Sequence, residues 1–232
     1  MNNPSASRFT LLFVALLSLA PVTYAGGWDI VTLKDFPDFA VAGQALNLSF
    51  TVWAPSLEPL ANLQPRVRAT ICSGPCSATE NRRLTAKASV KAGAATGAYT
   101  AKLILPEPGD WMVTINTEYA GASTLPPLKV VAPGTPSPTP ISAAARGMRL
   151  FTAKGCNSCH LRDEAGRVYG PDLTGKRFAS EYLKRFLADP SITSVPEEVC
   201  NRDRSYCGAP YAMPNPNLKD AEIEALIAFI ND

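Results

Sequence analysis

Residues 156–160 read Cys156-Asn157-Ser158-Cys159-His160, a C-x-x-C-H sequence. This pattern is typical of covalent haem attachment, because two thiols on one helical turn can bond to the two haem vinyl groups and the next residue brings an imidazole to the iron. The alternatives are a disulfide and a thioredoxin-like motif. A thioredoxin motif lies between a strand and a helix, whereas the sequence around Cys156 is helical and Gly-rich. We therefore expect one covalently attached haem c, with His160 as an iron ligand.

The composition excludes several other kinds of site. The chain has 232 residues, one His, six Cys and a formal net charge of +2. A single His excludes zinc, copper or iron sites that need several imidazoles, including the paired-His helix of metalloproteases. The near-neutral charge gives no electrostatic reason to expect nucleic acid or an anionic membrane surface as a partner.

A low-spin iron that carries electrons needs a sixth ligand, and with His160 already used, Met is the usual choice. Met213 lies in Tyr211-Ala212-Met213-Pro214-Asn215-Pro216, where two Pro residues hold the backbone extended and keep the thioether on a non-helical loop. The other Met residues lie in the N-terminal segment, in the β-rich half and on the helix before the motif (Met1, Met112, Met148). A Met is more often a core residue than a ligand, but this elimination favours Met213 as the sixth ligand.

The N-terminal segment is typical of an export signal. Arg8 is followed by an apolar run from Phe9 to Ala20, and Thr23 and Ala25 suit signal peptidase, so we predict a signal peptide over residues 1–25. The run is shorter than the roughly 20 residues of a spanning helix, which favours cleavage over a retained anchor. We expect no membrane span after cleavage, and a location in the periplasm or at the outer face of the cytoplasmic membrane.

A Pro-rich segment, residues 132–140, separates two sequence patterns and is predicted to be a semi-rigid spacer. Before it, apolar residues alternate with polar ones over residues 46–52, 67–71, 99–105 and 111–115, which predicts an all-β, immunoglobulin-like sandwich over residues 26–131. After it, apolar residues recur with a helical period, which predicts an all-α domain over residues 141–232. The predicted helix faces are Ala144, Gly147/Met148 and Phe151; Ala179, Leu183, Phe186 and Leu187; and Ile223, Leu226, Ile227 and Ile230.

Residues 141–232 resemble a class I c-type cytochrome domain. The matching elements are Gly147 and Phe151 before the C-x-x-C-H motif, Gly170-Pro171-Asp172-Leu173-Thr174-Gly175 after it, the Met213-Pro214 loop, and a final helix containing Ile223 to Ile230. One difference is Lys219, where the family commonly has a Ser or Thr cap before the last helix, with Glu222 three residues on; Asn217 could cap that helix instead.

The resemblance also implies roles for individual residues. The carbonyl of Pro171 accepts a hydrogen bond from the axial His160, and Arg177 lies near a haem propionate, with a solvated surface Arg as the alternative. The first and last helices pack together, with Gly147 and Phe151 against Leu226 or Ile230. Tyr182 and Leu183 line the haem pocket or form helix core.

The remaining Cys residues form two pairs, and exported proteins keep disulfides. Cys200 and Cys207 lie in a long segment that compact members of the cytochrome family lack, and we predict a disulfide that stiffens the loop before Met213, with free thiols or metal ligation as alternatives. Cys72 and Cys76 are also predicted to form a disulfide. Two thiolates at this spacing could instead bind Cu(I).

The region over residues 27–131 resembles the small extracytoplasmic β-sandwiches called FixH-like or YtkA-like. The resemblance is carried by Gly27-Trp28-Asp29-Ile30-Val31-Thr32-Leu33, the turn at Ala42-Gly43-Gln44, and the stretch from Gly97 to Trp111. Some members have a His after the second strand and are linked to copper, but this chain has Trp53-Ala54-Pro55-Ser56 there. The resemblance therefore gives no support for copper by this route.

Together, these features predict an exported monohaem cytochrome that carries single electrons in a respiratory chain, with the β-sandwich as a docking module held away by the spacer. Expected partners are redox proteins such as a terminal oxidase, a quinol–cytochrome c reductase or a dehydrogenase. The alternatives are an electron-accepting subunit of a dehydrogenase or haem enzyme, and a copper-handling β domain coupled to a cytochrome. We expect no catalysis by this chain alone, because peroxide chemistry needs an open iron position and a distal acid or base.

Overall fold

The computed structural model describes residues 29–74, 76, 85–119, 121–160, 170, 173, 177–191 and 213–232. The predicted signal peptide, Pro171, Cys200 and Cys207 lie outside the described residues. Within the described part, all strands lie between residues 30 and 131, and all helices lie after residue 142. This agrees with the fold class that the change of period predicts.

The N-terminal part is a sandwich of two sheets. The first sheet has the order β1 (Ile30–Leu33), β3 (Ala45–Trp53), β7 (Ala98–Ile104) and β6 (Ser89–Ala92). The second has the order β2 (Phe39–Val41), β10 (Leu128–Val131), β8 (Gly109–Asn116), β4 (Arg66–Ile71) and β5 (Thr85–Lys87), and β9 (Ala122–Thr124) pairs with the second half of β8. All pairs are antiparallel except β2 with β10. The orders β1-β3-β7-β6 and β4-β8-β10 match the A-B-E-D and C-F-G orders of immunoglobulin-like sandwiches.

The predicted alternation places one face of each long strand in the core. Trp111 is fully buried, and its indole N–H donates to the carbonyl of Glu107 at 3.0 Å. Tyr99 is also buried; its hydroxyl donates to the carbonyl of Leu60 at 2.8 Å and accepts from the amide of Leu63 at 3.0 Å. Both aromatic rings thus satisfy their polar atoms while filling the space between the sheets. Other strand residues of this core include Leu48, Phe50, Val52, Val67, Ala69, Ala101, Leu103, Val113 and Ile115.

The C-terminal part contains three described α-helices, α1 (Ala143–Ala153), α2 (Ser180–Ala188) and α3 (Asp220–Ile230). α1 begins after Ser142, whose hydroxyl accepts a hydrogen bond from the amide of Ala145 at 3.2 Å. Among the residues that the structure describes, no helix is both long and apolar enough to cross a membrane.

The predicted packing of the first helix on the last one is confirmed, but the contacts differ in detail. Gly147 lies against α3 so closely that a Cβ would collide with the carbonyl of Ala225 and lie 2.6 Å from the Cβ of Phe229. Phe151 packs on Phe229, with ring centroids 5.4 Å apart. The atoms nearest to position 147 therefore belong to Ala225 and Phe229, and Leu226 and Ile230 are buried in the same cluster as Phe151. Met148, predicted as an alternative to Gly147 on this face, is instead 52% exposed.

The expectation that Asn217 caps the last helix is wrong, because the N-cap residue of α3 is Lys219. An ammonium group cannot accept a hydrogen bond, so the capping contact comes from the other direction: the amide of Lys219 donates to the carboxylate of Glu222 at 2.9 Å. Asn217 lies two residues earlier with a left-handed φ of +49°, and its amide donates to the side chain of Asn215.

The Pro-rich segment does not hold the two parts of the chain apart. Ala153, the last residue of α1, is fully buried as part of the β-sandwich core. Gly155 lies against β1, where a Cβ would be 2.7 Å from Cγ2 of Ile30 and 2.9 Å from the carbonyl oxygen of Val31. The expectation of a sandwich held away by a spacer is therefore wrong: the chain after residues 132–140 returns to the sandwich and packs on it.

Candidate functional site

The C-x-x-C-H motif folds as one tight turn directly after α1. Gly155 has a left-handed φ of +73°, which ends the helix and redirects the chain into the 3₁₀ turn Cys156–Ser158. The amides of Cys159 and His160 both donate to the carbonyl of Cys156, at 3.1 and 2.7 Å. Because residues three apart lie on the same side of a 3₁₀ turn, the two Cys residues are arranged to hold one ligand from one side.

The imidazole of His160 packs on the backbone of Gly170. A Cβ at position 170 would lie 2.6 Å from Nδ1 and 2.8 Å from Nε2 of the ring, so only a glycine leaves room for this approach. The amide of Gly170 also donates to the carbonyl of Cys159 at 3.0 Å. The chain therefore returns to the motif at Gly170 and holds the histidine ring from one side.

Both Cys residues of the motif have free thiols in this structure. Burial raises the pKa of the Cys156 thiol to about 12, and burial also raises the pKa of Cys159. Both thiols are therefore protonated at neutral pH in the haem-free chain.

An apolar cluster in the helical part brings the motif and the Met213 loop together. Cys156 and Met213 both pack, half-buried, on the buried residues of α1, α2 and α3. The other half-buried members of this cluster are Leu173, Phe178, Tyr182 and Leu218. Cys159 and His160 follow Cys156 in the same turn, so the chain offers two thiols, an imidazole and a thioether, a donor set that fits haem c.

The structure distinguishes some of the remaining predicted site residues. Leu183 is buried in the helical core. Tyr182 is half-buried and stacks on Phe186 with centroids 5.8 Å apart, and it also contacts Phe178 at 6.3 Å. Arg177 is exposed. Phe178 and Leu218 were not predicted from the sequence; the only signal for Phe178 was an aromatic residue directly before a predicted helix.

Asn231 fixes the backbone of Phe178 and therefore the approach to α2. Its side-chain oxygen accepts from the amide of Phe178 at 2.9 Å, and its side-chain nitrogen donates to the carbonyl of the same residue at 3.0 Å. We expect Asn231→Ala to lower the free energy of unfolding by about 1–3 kcal/mol, because two partly buried backbone groups lose their partners. Urea denaturation followed by the helical circular dichroism signal measures this change.

A matched control for Asn231→Ala is Asn47→Ala, because Asn47 is exposed on β3. We expect this control to change the free energy of unfolding by less than about 0.5 kcal/mol. Equal effects of the two substitutions would show that the paired contact with Phe178 adds no stability.

The Cys72–Cys76 pair lies at the end of β4, in the other half of the molecule. The two sulfur atoms are 1.98 Å apart and the Cα atoms 5.2 Å apart, which agrees with the predicted disulfide. In this bonded form neither sulfur is available as a thiolate ligand for Cu(I). Within the described part of the chain, no group of three His, Cys, Asp or Glu residues is placed to hold a metal ion.

Residues 144–232 match the cytochrome c family, and no curated protein matches the chain. The match begins at the start of α1 and includes the C-x-x-C-H turn, Gly170, Met213 and α3. The match supports a c-type cytochrome domain in this part of the chain, and such a domain supports an electron-carrying haem protein. The family binds covalently attached haem c, so haem c is the cofactor of this domain.

Solved structures resemble the chain only distantly. Domains 4 and 5 of the S-layer protein SbsC are 16% identical over 46% of this chain and 54% of that one, with a TM-score of 0.31. The Lin-41 filamin domain is 10% identical over 44% of this chain and 91% of that one, with a TM-score of 0.32. A superoxide reductase (neelaredoxin) from Ignicoccus hospitalis is 15% identical over 44% of this chain and 83% of that one, with a TM-score of 0.25.

The chain thus spans about half the length of the first of these structures, and just 15% of the length of the longer SbsC structure that covers domains 1–6. Because every one of these TM-scores is below 0.5, these similarities carry no argument about function.

Proposed function

We propose that this protein is an exported monohaem cytochrome that carries single electrons between redox proteins of a respiratory chain. The observation that carries the proposal is that Cys156 and Met213, far apart in sequence, pack on one apolar cluster in the part of the chain that matches cytochrome c. When bound, haem c supplies a one-electron Fe(III)/Fe(II) couple, and His/Met ligation raises its reduction potential.

In this proposal, Cys156 and Cys159 attach the haem through thioethers from one turn. His160 is one axial ligand, and its ring orientation is fixed by the contact with Gly170. Met213 is the other axial ligand. Its half-buried position on the apolar cluster supports this role, because a thioether that is shielded from water competes better with solvent for a metal.

Three further roles belong to the same proposal. Arg177, exposed before α2, neutralises a haem propionate, and the carbonyl of Pro171 orients His160. Cys200 and Cys207 form a disulfide that stiffens the segment before Met213.

The proposed organisation of the chain is a signal peptide over residues 1–25, a β-sandwich domain over 26–131, a Pro-rich segment over 132–140 and the cytochrome domain over 141–232. We propose that the sandwich serves as a docking module for redox partners such as a terminal oxidase, a quinol–cytochrome c reductase or a dehydrogenase. Export places the protein in the periplasm or at the outer face of the cytoplasmic membrane, which is consistent with the disulfide at Cys72 and Cys76.

The axial role of Met213 is tested by the Met213→Ala variant of the haem-loaded protein. We expect the weak far-red absorption band that reports Met–iron bonding to be present in the oxidised wild-type protein and absent in the variant. Cyanide is expected to bind the oxidised variant at least about tenfold faster than the wild type, because a ligand that must dissociate first has been removed.

The control for this experiment is Met148→Ala, because Met148 is exposed on α1, outside the apolar cluster. Its spectrum and its cyanide binding rate should equal those of the wild type. If the wild-type protein lacks the far-red band and binds cyanide or carbon monoxide rapidly, the iron has an open position, and the electron-carrier proposal loses to a haem enzyme.

A further inference from the structure

The loop between β1 and β2, residues 34–38, lies against α1 and the start of α3; we call this contact the β1–β2 joint. All five residues of the loop contact the helical part. The contacts are Lys34 with Lys154, Asp35 with Lys219, Phe36 and Pro37 with Arg149, and Asp38 with Arg146. Every partner on the helical side is a Lys or Arg side chain. The loop therefore contacts a basic surface formed by α1 and the start of α3.

The rim of the joint is polar and partly exposed. The guanidinium of Arg149 lies 4.8 Å above the ring of Phe36 and donates to the carbonyl of Pro37 at 3.1 Å. Asp38 pairs with Arg146 at 2.5 Å, and Asp35 pairs with Lys219 at 2.6 Å. The hydrogen bond from Lys219 lowers the pKa of Asp35. Because both pairs are solvent-exposed, each adds little stability by itself.

The centre of the joint is a buried cation. The side chain of Lys154 is 2% exposed, and its Nζ donates to the carbonyl of Lys34 at 2.8 Å and pairs with Oε1 of Glu222 at 3.0 Å. The other carboxylate oxygen of Glu222 accepts from the amide of Lys219. Burial of an ammonium group is costly unless its partners are well placed. Lys154 therefore ties the end of β1 to the first turn of α3.

The position of this cation in the chain connects the joint to the haem-binding turn. Lys154 lies between Ala153, which is fully buried in the sandwich core, and Gly155, which lies on β1. Cys156 follows directly. Each of these three residues thus contacts the sandwich or its β1–β2 loop, which fixes the chain that leads into the C-x-x-C-H turn, and the ion pair with Glu222 ties the same point to α3.

We propose that the β-sandwich and the haem-binding part of the chain act as one rigid body, and that Lys154 is the positioning residue of the joint between them. The sandwich then keeps one orientation relative to the haem-binding turn, and a redox partner that binds the sandwich is held at one fixed position relative to the haem. This last consequence rests on the proposed function, whereas the rigid joint does not.

The joint is tested by thermal unfolding of the full haem-loaded chain with two probes. All three Trp residues precede the Pro-rich segment, so Trp fluorescence reports the sandwich, and the described helices all follow that segment, so helical circular dichroism reports the other part. In the wild type we expect both signals to change at the same temperature. In Lys154→Met we expect the helical signal to change about 10–20 °C lower and to separate from the Trp signal, because Glu222 is left half-buried without its cation.

Two variants control for this result. Lys154→Arg keeps the cation and is expected to restore coincident transitions. Lys184→Met removes a lysine whose partner, Glu224, is also on α3, but this ion pair is exposed and lies outside the joint. We expect both transitions of Lys184→Met to coincide and to stay within about 2 °C of the wild type.

Two separate transitions in the wild type would overturn the proposal, and so would coincident transitions in Lys154→Met. If Lys154→Met does not fold, the milder variant Glu222→Gln takes its place, because it removes the charge that pairs with the buried Lys154 but keeps a side-chain oxygen for the amide of Lys219. It should show a smaller separation of the same sign, and unchanged coincidence would refute the joint. A chain that lacks haem absorption would instead refute the proposed function, and both unfolding transitions can still be recorded on such a chain.

Discussion

Replacing both Cys156 and Cys159 with Ser is expected to abolish covalent haem attachment, from one haem per chain to none. A hydroxyl group cannot replace the thiol in the bond to a haem vinyl group, and the tight turn presents no other sulfur on that side. The haem is then held only by its coordination bonds to His160 and Met213, which acid and denaturant break. The mass of the denatured protein and haem staining after denaturing electrophoresis both measure the loss.

The matched control is the double variant Cys72→Ser/Cys76→Ser. It also removes two sulfur atoms, but from the disulfide at the end of β4 in the sandwich. We expect this variant to keep the full haem mass increment. Covalent haem that persists without Cys156 and Cys159 would show that other residues attach it, and the assignment of the C-x-x-C-H turn would then be wrong.

The second large effect is expected for Gly147→Val at the crossing of α1 and α3. Even a Cβ at this position collides with the carbonyl of Ala225 and approaches the Cβ of Phe229 to 2.6 Å, so both contacts involve atoms that cannot rotate away. We expect a loss of at least about 3 kcal/mol in the free energy of unfolding of the helical part, since the two helices must separate to admit the side chain. Guanidinium denaturation followed by helical circular dichroism measures the loss.

The sign of the effect of Gly147→Ala gives a sharper comparison. At an unhindered helical site, Gly→Ala stabilises by about 0.5–1 kcal/mol, whereas at Gly147 we expect destabilisation. Gly121→Ala is the control, because a Cβ at Gly121 meets no atom within 4 Å; its free energy of unfolding should change by less than about 0.5 kcal/mol. A stabilised Gly147→Ala variant would mean that the helices do not cross as closely as described.

The sandwich was predictable from the sequence because its strands are half-buried. Residues such as Leu48, Phe50 and Val52 face the core while their neighbours do not, and this alternation has a period that the order of residue types shows. The turn at Cys156 was predictable for a different reason. Its chemistry requires two thiols and an imidazole at one spacing, so the residue types themselves identify it.

The joint between the two parts could not be predicted, because its residues have the composition of a solvated surface. Arg146 and Arg149 are typical of an exposed helix face, and a buried lysine such as Lys154 is rare enough that no pattern predicts one. The Pro-rich segment suggested that the sandwich and the helical part are held apart. A locally stiff segment, however, does not determine whether the chain that follows it packs on the chain that precedes it. Lys219 as a helix cap was missed for a similar reason: its contact is made by the backbone and Glu222, not by its own side chain.

The position of β1 has a consequence for the behaviour of partly folded chains. Among the strands that the structure describes, β1 is the terminal strand of its sheet, and the turn at Lys154 and Gly155 lies against it. An uncovered terminal strand offers unpaired backbone groups to strands of other molecules, and proteins commonly cover such an edge with another segment. In this protein the covering segment is the approach to the haem-binding turn. Folding of the haem-binding part therefore also shields the chain from intermolecular strand pairing and aggregation.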